Sequence, residues 1–123
     1  MTIKEVSQKM DISADTLRYY ERVGLIPSVK RNKSGIRDYD EEDLRWIQFA
    51  KCMRQSGLSI ESLVEYLKLF LEGDHTCEAR RELLLEEREK LLARIESMNE
   101  TLERLNYKIE NYDKILRQQP PKK

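Results

Sequence analysis

Cysteine is scarce in this sequence: Cys52 and Cys77 are the only two. Two thiols cannot build a disulfide scaffold, and in a reducing cytosol each is expected to be free, so a disulfide here would be a signal and not a staple. Glycine and proline are also sparse, at four and three residues, which argues against a turn-rich all-β chain. No run of about 18 apolar residues is present to span a membrane. The N-terminus lacks the basic, apolar and small-residue order of a secretory signal, so the protein is expected to stay in the cytoplasm. At 123 residues there is room for one compact domain plus one extended element, and a large enclosed substrate cavity is not expected. No phosphate-cradling loop or paired-carboxylate pocket is apparent. Nothing in the sequence holds Cys52 or Cys77 beside His75 as nucleophile and base. The chain therefore reads as a non-enzyme, and no cofactor is called for.

What remains is charge and helix. Charged residues make up 37% and apolar ones 39%, a balance typical of long helices with solvated faces. The net charge of zero conceals a division along the chain. Residues 1–37 hold eight Lys/Arg against four Asp/Glu, residues 38–75 hold four against nine, and the remainder eleven against ten. Positive charge is concentrated at the N-terminus, where it can serve a local partner.

Thr2 and Glu5 have capping-box spacing, and Ile3, Val6 and Met10 repeat on one face, predicting a helix over Ile3–Met10. Asp11-Ile12-Ser13 interrupts it. Ser13 suits an N-cap for a second helix over 14–22, and Gly24 a C-cap. Two short helices around a tight turn read as a helix-turn-helix. Residues 25–39 contain the turn cluster Asn32-Lys33-Ser34-Gly35 between β-branched or aromatic segments, which predicts a small basic hairpin, a wing. Asp40 and Ser59 cap helices expected over Glu41–Gln55 and 60–71. Their apolar residues Leu44, Trp46, Ile47, Phe49, Ala50, Met53, Leu63, Leu67 and Phe70 complete a core.

From Cys77 to Leu116 there is neither glycine nor proline. One heptad position takes Arg88, Ile95, Leu102, Ile109 and Leu116, and the other Leu84, Leu91, Met98, Leu105 and Tyr112. A helix of this kind, roughly 60 Å long, buries such a seam only against another chain, so a homodimer is expected. The division is then a DNA-binding domain over residues 1–71, a connector over 72–77, a dimerisation helix over 78–117 and a disordered tail over 118–123.

The expected partner is double-stranded DNA. On the second helix Leu17 and Tyr20 turn inward, while Asp15, Arg18, Tyr19 and Arg22 turn outward. Arg18 and Arg22 can bond phosphates or guanine edges, Tyr19 a phosphate, and Thr16 a phosphate or thymine methyl. The wing adds Lys30, Arg31, Lys33 and Arg37, and Ser13 and Tyr39 complete the candidate contacts. Two reading heads in a symmetric dimer address half-sites one or more turns of about 34 Å apart, hence an inverted repeat.

Thr16-Leu17-Arg18-Tyr19-Tyr20-Glu21, Gly24-Leu25-Ile26-Pro27, Gly35-Ile36-Arg37-Asp38-Tyr39 and Asp43-Leu44 together resemble the signature of the mercury-resistance-regulator (MerR) family, closely over residues 1 to 75. Ile36 departs from it, since many members carry an aromatic residue there. The resemblance implies a mainly α fold: a winged helix-turn-helix with a β-hairpin wing, then a long helix forming an antiparallel coiled coil between protomers. It also implies a nucleoid-associated regulator that distorts an overlong promoter spacer for RNA polymerase.

Cys52 falls on the flank of its helix near Arg45, Gln48 and Ser56, away from the apolar side. Lys51 and Arg54 are its sequence neighbours and can favour a reactive thiolate, although free cysteine is often plain core. The run Phe49-Ala50-Lys51-Cys52-Met53-Arg54 resembles the aldehyde- and electrophile-responsive branch of the family, which implies Cys52 as sensing thiol, triggered by alkylation or oxidation. Cys77, at a helix start, is a second candidate sensing or resolving thiol, with an incidental exposed cysteine the plainer reading. His75, Cys77 and Cys52 lack metal-site spacing, and the family's metal sensors carry a cysteine loop beyond the dimerisation helix that is not expected here. The alternatives are the same dimer answering a metal ion or a non-covalent ligand, and a coiled-coil adaptor whose duplex binding would be absent or salt-insensitive.

Overall fold

A computed structural model describes residues 1–118. It opens with α1, Ile3–Met10. The capping box forms as expected: Thr2 Oγ1 accepts the Glu5 N–H at 3.2 Å and Glu5 Oε1 the Thr2 N–H at 3.0 Å. Asp11 ends α1 in the left-handed region at φ 54°, a conformation that Asp tolerates better than most side chains. Ser13 then caps α2, Ala14–Val23, one residue longer than expected. The turn between them is held from inside, because Ile12 is buried. Gly24, at φ 87°, closes α2 by donating its N–H to the Glu21 and Tyr20 carbonyls, and only glycine adopts that φ freely.

The wing is less regular than a hairpin. Its only β pairing among the described residues is a single antiparallel bridge between Arg31 and Arg37. Around it, Asn32 N–H donates to the Ile36 carbonyl at 2.8 Å and Asp38 N–H to the Lys30 carbonyl at 2.7 Å. Asn32 Oδ1 takes up the Ser34 and Ile36 N–H groups, so a side chain organises the tip where a longer ladder would otherwise be needed. The base is tied to the N-terminus: Tyr39 N–H donates to the Met1 carbonyl at 2.8 Å, and the Met1 ammonium donates to the Tyr39 carbonyl and Asp38 Oδ1.

Asp40 caps α3, Glu41–Gln55, in a reciprocal box with Asp43. The Asp43 N–H, and after it Lys30, holds the Asp40 carboxyl below its ordinary pKa, whereas burial pushes Asp43 up. After Gly57 and the buried Leu58, Ser59 caps α4, Ile60–Glu72. One core joins these elements: Val6, Leu17, Tyr20, Leu25, Ile26, Val29, Tyr39, Ile47, Ala50, Leu58 and Leu63. Burying each large side chain contributes about 1.5–3 kcal/mol. Leu44, Trp46, Phe49 and Met53 pack against that core only in part, and Phe70 is exposed.

The connector is more ordered than its polarity suggested. Asp74–Thr76 forms a 3-10 turn in which the buried Thr76 hydroxyl reaches the Leu69 carbonyl at 2.6 Å. Then α5 runs from Cys77 to Gln118. Gln118, expected in the tail, is its last residue, and the rest of that tail, 119–123, lies outside the described residues. The described residues divide into two units, one over residues 1–87 and the other starting at Arg88. The first turns of α5 belong to the first unit, where Ser62 Oγ donates to the buried Glu87 carboxylate at 2.6 Å. Along the second, Ile95, Met98, Leu102, Leu105, Ile109, Tyr112 and Leu116 are exposed.

Tyr39 corrects the sequence reading. Expected on the duplex, it is 2% exposed and part of the core, because chain alternation at the wing's base puts Asp38 outside and its neighbour inside. Its hydroxyl is buried without a hydrogen-bond partner among the described residues. Tyr39→Phe removes only that unpaired hydroxyl, so stability measured by chemical denaturation should be unchanged or raised by up to about 1 kcal/mol. A loss larger than that would reveal a hydrogen bond made by this group.

Candidate nucleic-acid interface

Helix α2 presents two faces, as its spacing requires. Leu17 and Tyr20 face the core, and Arg18 and Arg22 are exposed. Arg18 pairs with Asp15 at 2.9 Å, but both groups are well exposed, and such pairs are screened and yield readily to a stronger anion. Ser13 Oγ accepts the Thr16 N–H and donates to Thr16 Oγ1 at 2.8 Å, so its first duty is to cap the helix. Tyr19 departs from the expected outward position. It is half-buried against the core, with the Arg22 guanidinium 5.5 Å above its ring.

The wing's four cations are held to different degrees. Lys33 has no ion pair or hydrogen bond among the described residues. Arg31 Nη1 donates to the Gly35 carbonyl at 3.0 Å and braces the tip. Lys30 stands 3.1 Å from Asp40, whose hydrogen bond and charge raise the lysine's pKa. Arg37 is the most constrained: its Nε donates to Glu21 Oε1 at 2.6 Å. The other oxygen of Glu21 accepts the Val29 N–H at 3.1 Å. One carboxylate on α2 thus holds both arms of the wing.

A groove that the sequence reading missed lies beside α2, lined by Ser13, Thr16, Tyr19, Tyr20, Lys51 and Arg54 among others. Lys51 Nζ donates to the Met10 carbonyl at 2.7 Å and Arg54 Nη1 to the Leu58 carbonyl at 2.6 Å. The lysine thereby sits at the carbonyl end of α1, where the helix dipole favours a cation. Together they give the groove positive charge from α3, in a stretch whose summed charge is negative. Only the contact between α3 and the helical turn places them there. The Tyr20 phenol in the same groove has its pKa pushed up by burial, partly countered by Arg54.

The cysteines lie where their helical positions predict, but the partner groups around them differ from expectation. Cys52 is exposed, away from the core side of α3. Neither Lys51 nor Arg54 hydrogen-bonds its sulfur among the described residues; each donates to a main-chain carbonyl instead. Cys77 is exposed too, and receives an N–H from Arg80 Nη2 at 3.0 Å. Arg80 is itself fixed by the Thr76 hydroxyl and by the Phe70 ring, 5.1 Å from its guanidinium carbon. Among the described residues no group of three or more His, Cys, Asp or Glu is placed to hold a metal ion, and no helix is long and apolar enough to cross a membrane.

Against known proteins, residues 1–69 match the profile of the MerR HTH family regulatory proteins and residues 44–107 that of MerR, DNA binding. The chain is 62% identical over 92 residues to the HTH-type transcriptional regulator AdhR of Bacillus subtilis, covering 75% of this chain and 66% of that protein. A MerR family regulator from Listeria monocytogenes superposes with a TM-score of 0.90 at 58% identity, over 92% of this chain and 86% of the other. HiNmlR, a MerR family regulator lacking the sensor domain and solved bound to promoter DNA, gives 0.85 at 30% identity, over 95% and 93%.

Lys33 tests the electrostatic character of this face without disturbing the fold, since it braces nothing. Lys33→Ala should weaken duplex binding equally on every sequence and reduce the slope of log affinity against log salt by about 0.9 for each copy bound. Unchanged slope in a titration series would show that the wing tip does not meet the phosphate backbone.

Proposed function

Since this chain belongs to the MerR family of helix-turn-helix regulatory proteins, and is therefore a DNA-binding transcriptional regulator and not an enzyme, we propose that it acts on an inverted-repeat promoter as a homodimer. Its Cys52 thiol answers aldehydes or other electrophiles. The observation that carries the DNA reading is the joining of α2 to the wing by Glu21 and Arg37. A groove-entering helix and a phosphate-tracking loop then form one rigid surface with Arg18, Arg22, Lys30, Arg31 and Lys33 on it. The likeness to a regulator solved on promoter DNA supports the same reading.

The dimer rests on the apolar row of α5. Leu84, Leu91, Ile95, Met98, Leu102, Leu105, Ile109, Tyr112 and Leu116 recur at heptad spacing, and all but the half-buried Leu91 are exposed in a single chain. A stripe of that extent is costly in water and favours a second copy of the same helix. Two heads held at a set separation can read two half-sites and deform the DNA between them, presenting the promoter to RNA polymerase in an altered geometry.

For the trigger, the exposure of Cys52 on the flank of α3 supports covalent modification. An electrophile reaches the sulfur without opening the core. An adduct there adds bulk to the helix whose Lys51 and Arg54 line the groove beside α2, which gives the modification a short route to the reading face.

Cys52→Ala should abolish induction of the target promoter by an aldehyde while leaving operator affinity unchanged, measured by promoter activity and by duplex titration. Full induction in that variant would eliminate Cys52 as the sensor. Sedimentation should give a dimer for the wild type, and Leu102→Glu should dissociate it and weaken operator binding by at least about 100-fold, since each head then binds without its linked neighbour. A wild type that sediments as a monomer would end the two-headed reading.

A further inference from the structure

Arg37 uses only part of its hydrogen-bonding capacity. Its Nε is taken by Glu21 Oε1 at 2.6 Å, and neither Nη nitrogen has a partner among the described residues. The side chain keeps 23% of its surface exposed and Glu21 keeps 14%, so the pair is largely shielded while part of it still meets solvent. Glu21 itself is immobilised by its second bond, from the Val29 N–H. A planar guanidinium held through Nε by a fixed carboxylate has lost most of its rotational freedom, and its two remaining nitrogens form a rigid fork that matches the geometry of a phosphate.

We propose that Glu21 is the positioning residue for the wing's phosphate contact. It touches no DNA but orients Arg37 so that the Nη pair meets one backbone phosphate without further ordering cost. This rests on the DNA-binding reading above. The arrangement explains why an acidic side chain stands among the cations of α2 and the wing, where simple charge counting would exclude it. It also gives the wing's cations separate roles, in which Lys33 contributes charge, Arg31 braces the tip, and Arg37 makes a directed contact.

The sign of the effect distinguishes this role from mere proximity. A carboxylate that only stood near the duplex would repel it, so neutralising that charge would tighten binding. An orienting carboxylate does the reverse. The test uses the full-length chain and a duplex that the wild type selects from a random-sequence pool. Glu21→Gln, which preserves side-chain volume, should weaken binding about tenfold, the size of one oriented charge-assisted contact. Arg37→Ala should weaken it and lower the salt slope by about 0.9 for each copy bound. In the Arg37→Ala background Glu21→Gln should change affinity by less than about twofold, as expected of residues that act as one unit.

Tighter binding by Glu21→Gln, an equal loss in both backgrounds, or an unchanged salt slope in Arg37→Ala would each overturn the proposal. Where Arg37→Ala fails to fold by circular dichroism, Arg37→Lys replaces it. That variant should retain the salt slope yet bind about tenfold more weakly, because an ammonium keeps the charge and loses the fork, and wild-type affinity in it overturns the proposal. Failure of the wild type to select any duplex with salt-dependent affinity would instead remove the DNA-binding reading on which the proposal stands.

Discussion

The ion pair between Glu21 and Arg37 is the constraint on which the assembly of the reading face depends. It joins residues 16 apart in sequence, one on α2 and the other on the returning arm of the wing. The second oxygen of Glu21 holds the outgoing arm at Val29. The wing has only one β bridge of its own among the described residues, far too little pairing to be stable alone. Its orientation therefore rests on its contacts with other elements, Glu21 of α2 and, at its base, the N-terminal Met1. Partial burial makes this pair more than a surface ornament, since removing either partner leaves a poorly solvated charge.

The rest of the head follows from packing around the same helix. Leu17 and Tyr20 fix α2 to the core, Val6 brings α1 beneath it, and Ile47 and Ala50 bring α3. With α3 come Lys51 and Arg54, each fastened to a carbonyl and each lining the groove next to α2. Cys52 lies between those two cations in sequence and is exposed on the same helix.

Sequence proximity and spatial proximity part company at the two thiols. The cations beside Cys52 in the chain are engaged with main-chain carbonyls, whereas Cys77 receives a guanidinium N–H from Arg80, three residues along α5. On a helix, neighbours in sequence project about 100° apart, and the third or fourth residue is the one within reach. A reading of cysteine environment that relies on adjacent letters therefore picks the wrong partners, and one that follows helical spacing finds the Arg80 contact.

Local signals were sufficient for most of the architecture. Thr2, Ser13, Asp40 and Ser59 cap the helices that their spacing predicts, because an N-cap is decided within four residues. The heptad row on α5 is likewise legible, since one helix carries its own periodicity. What only the tertiary structure decided involves residues from separate elements: Tyr39 drawn into the core, Tyr19 half-buried, Arg37 captured by Glu21, Lys51 and Arg54 gathered beside α2. Side-chain chemistry alone marked the first three as free to meet DNA and assigned Lys51 and Arg54 to the thiol. Which surface such a group finally faces depends on contacts between segments far apart in the chain, and no local pattern encodes them.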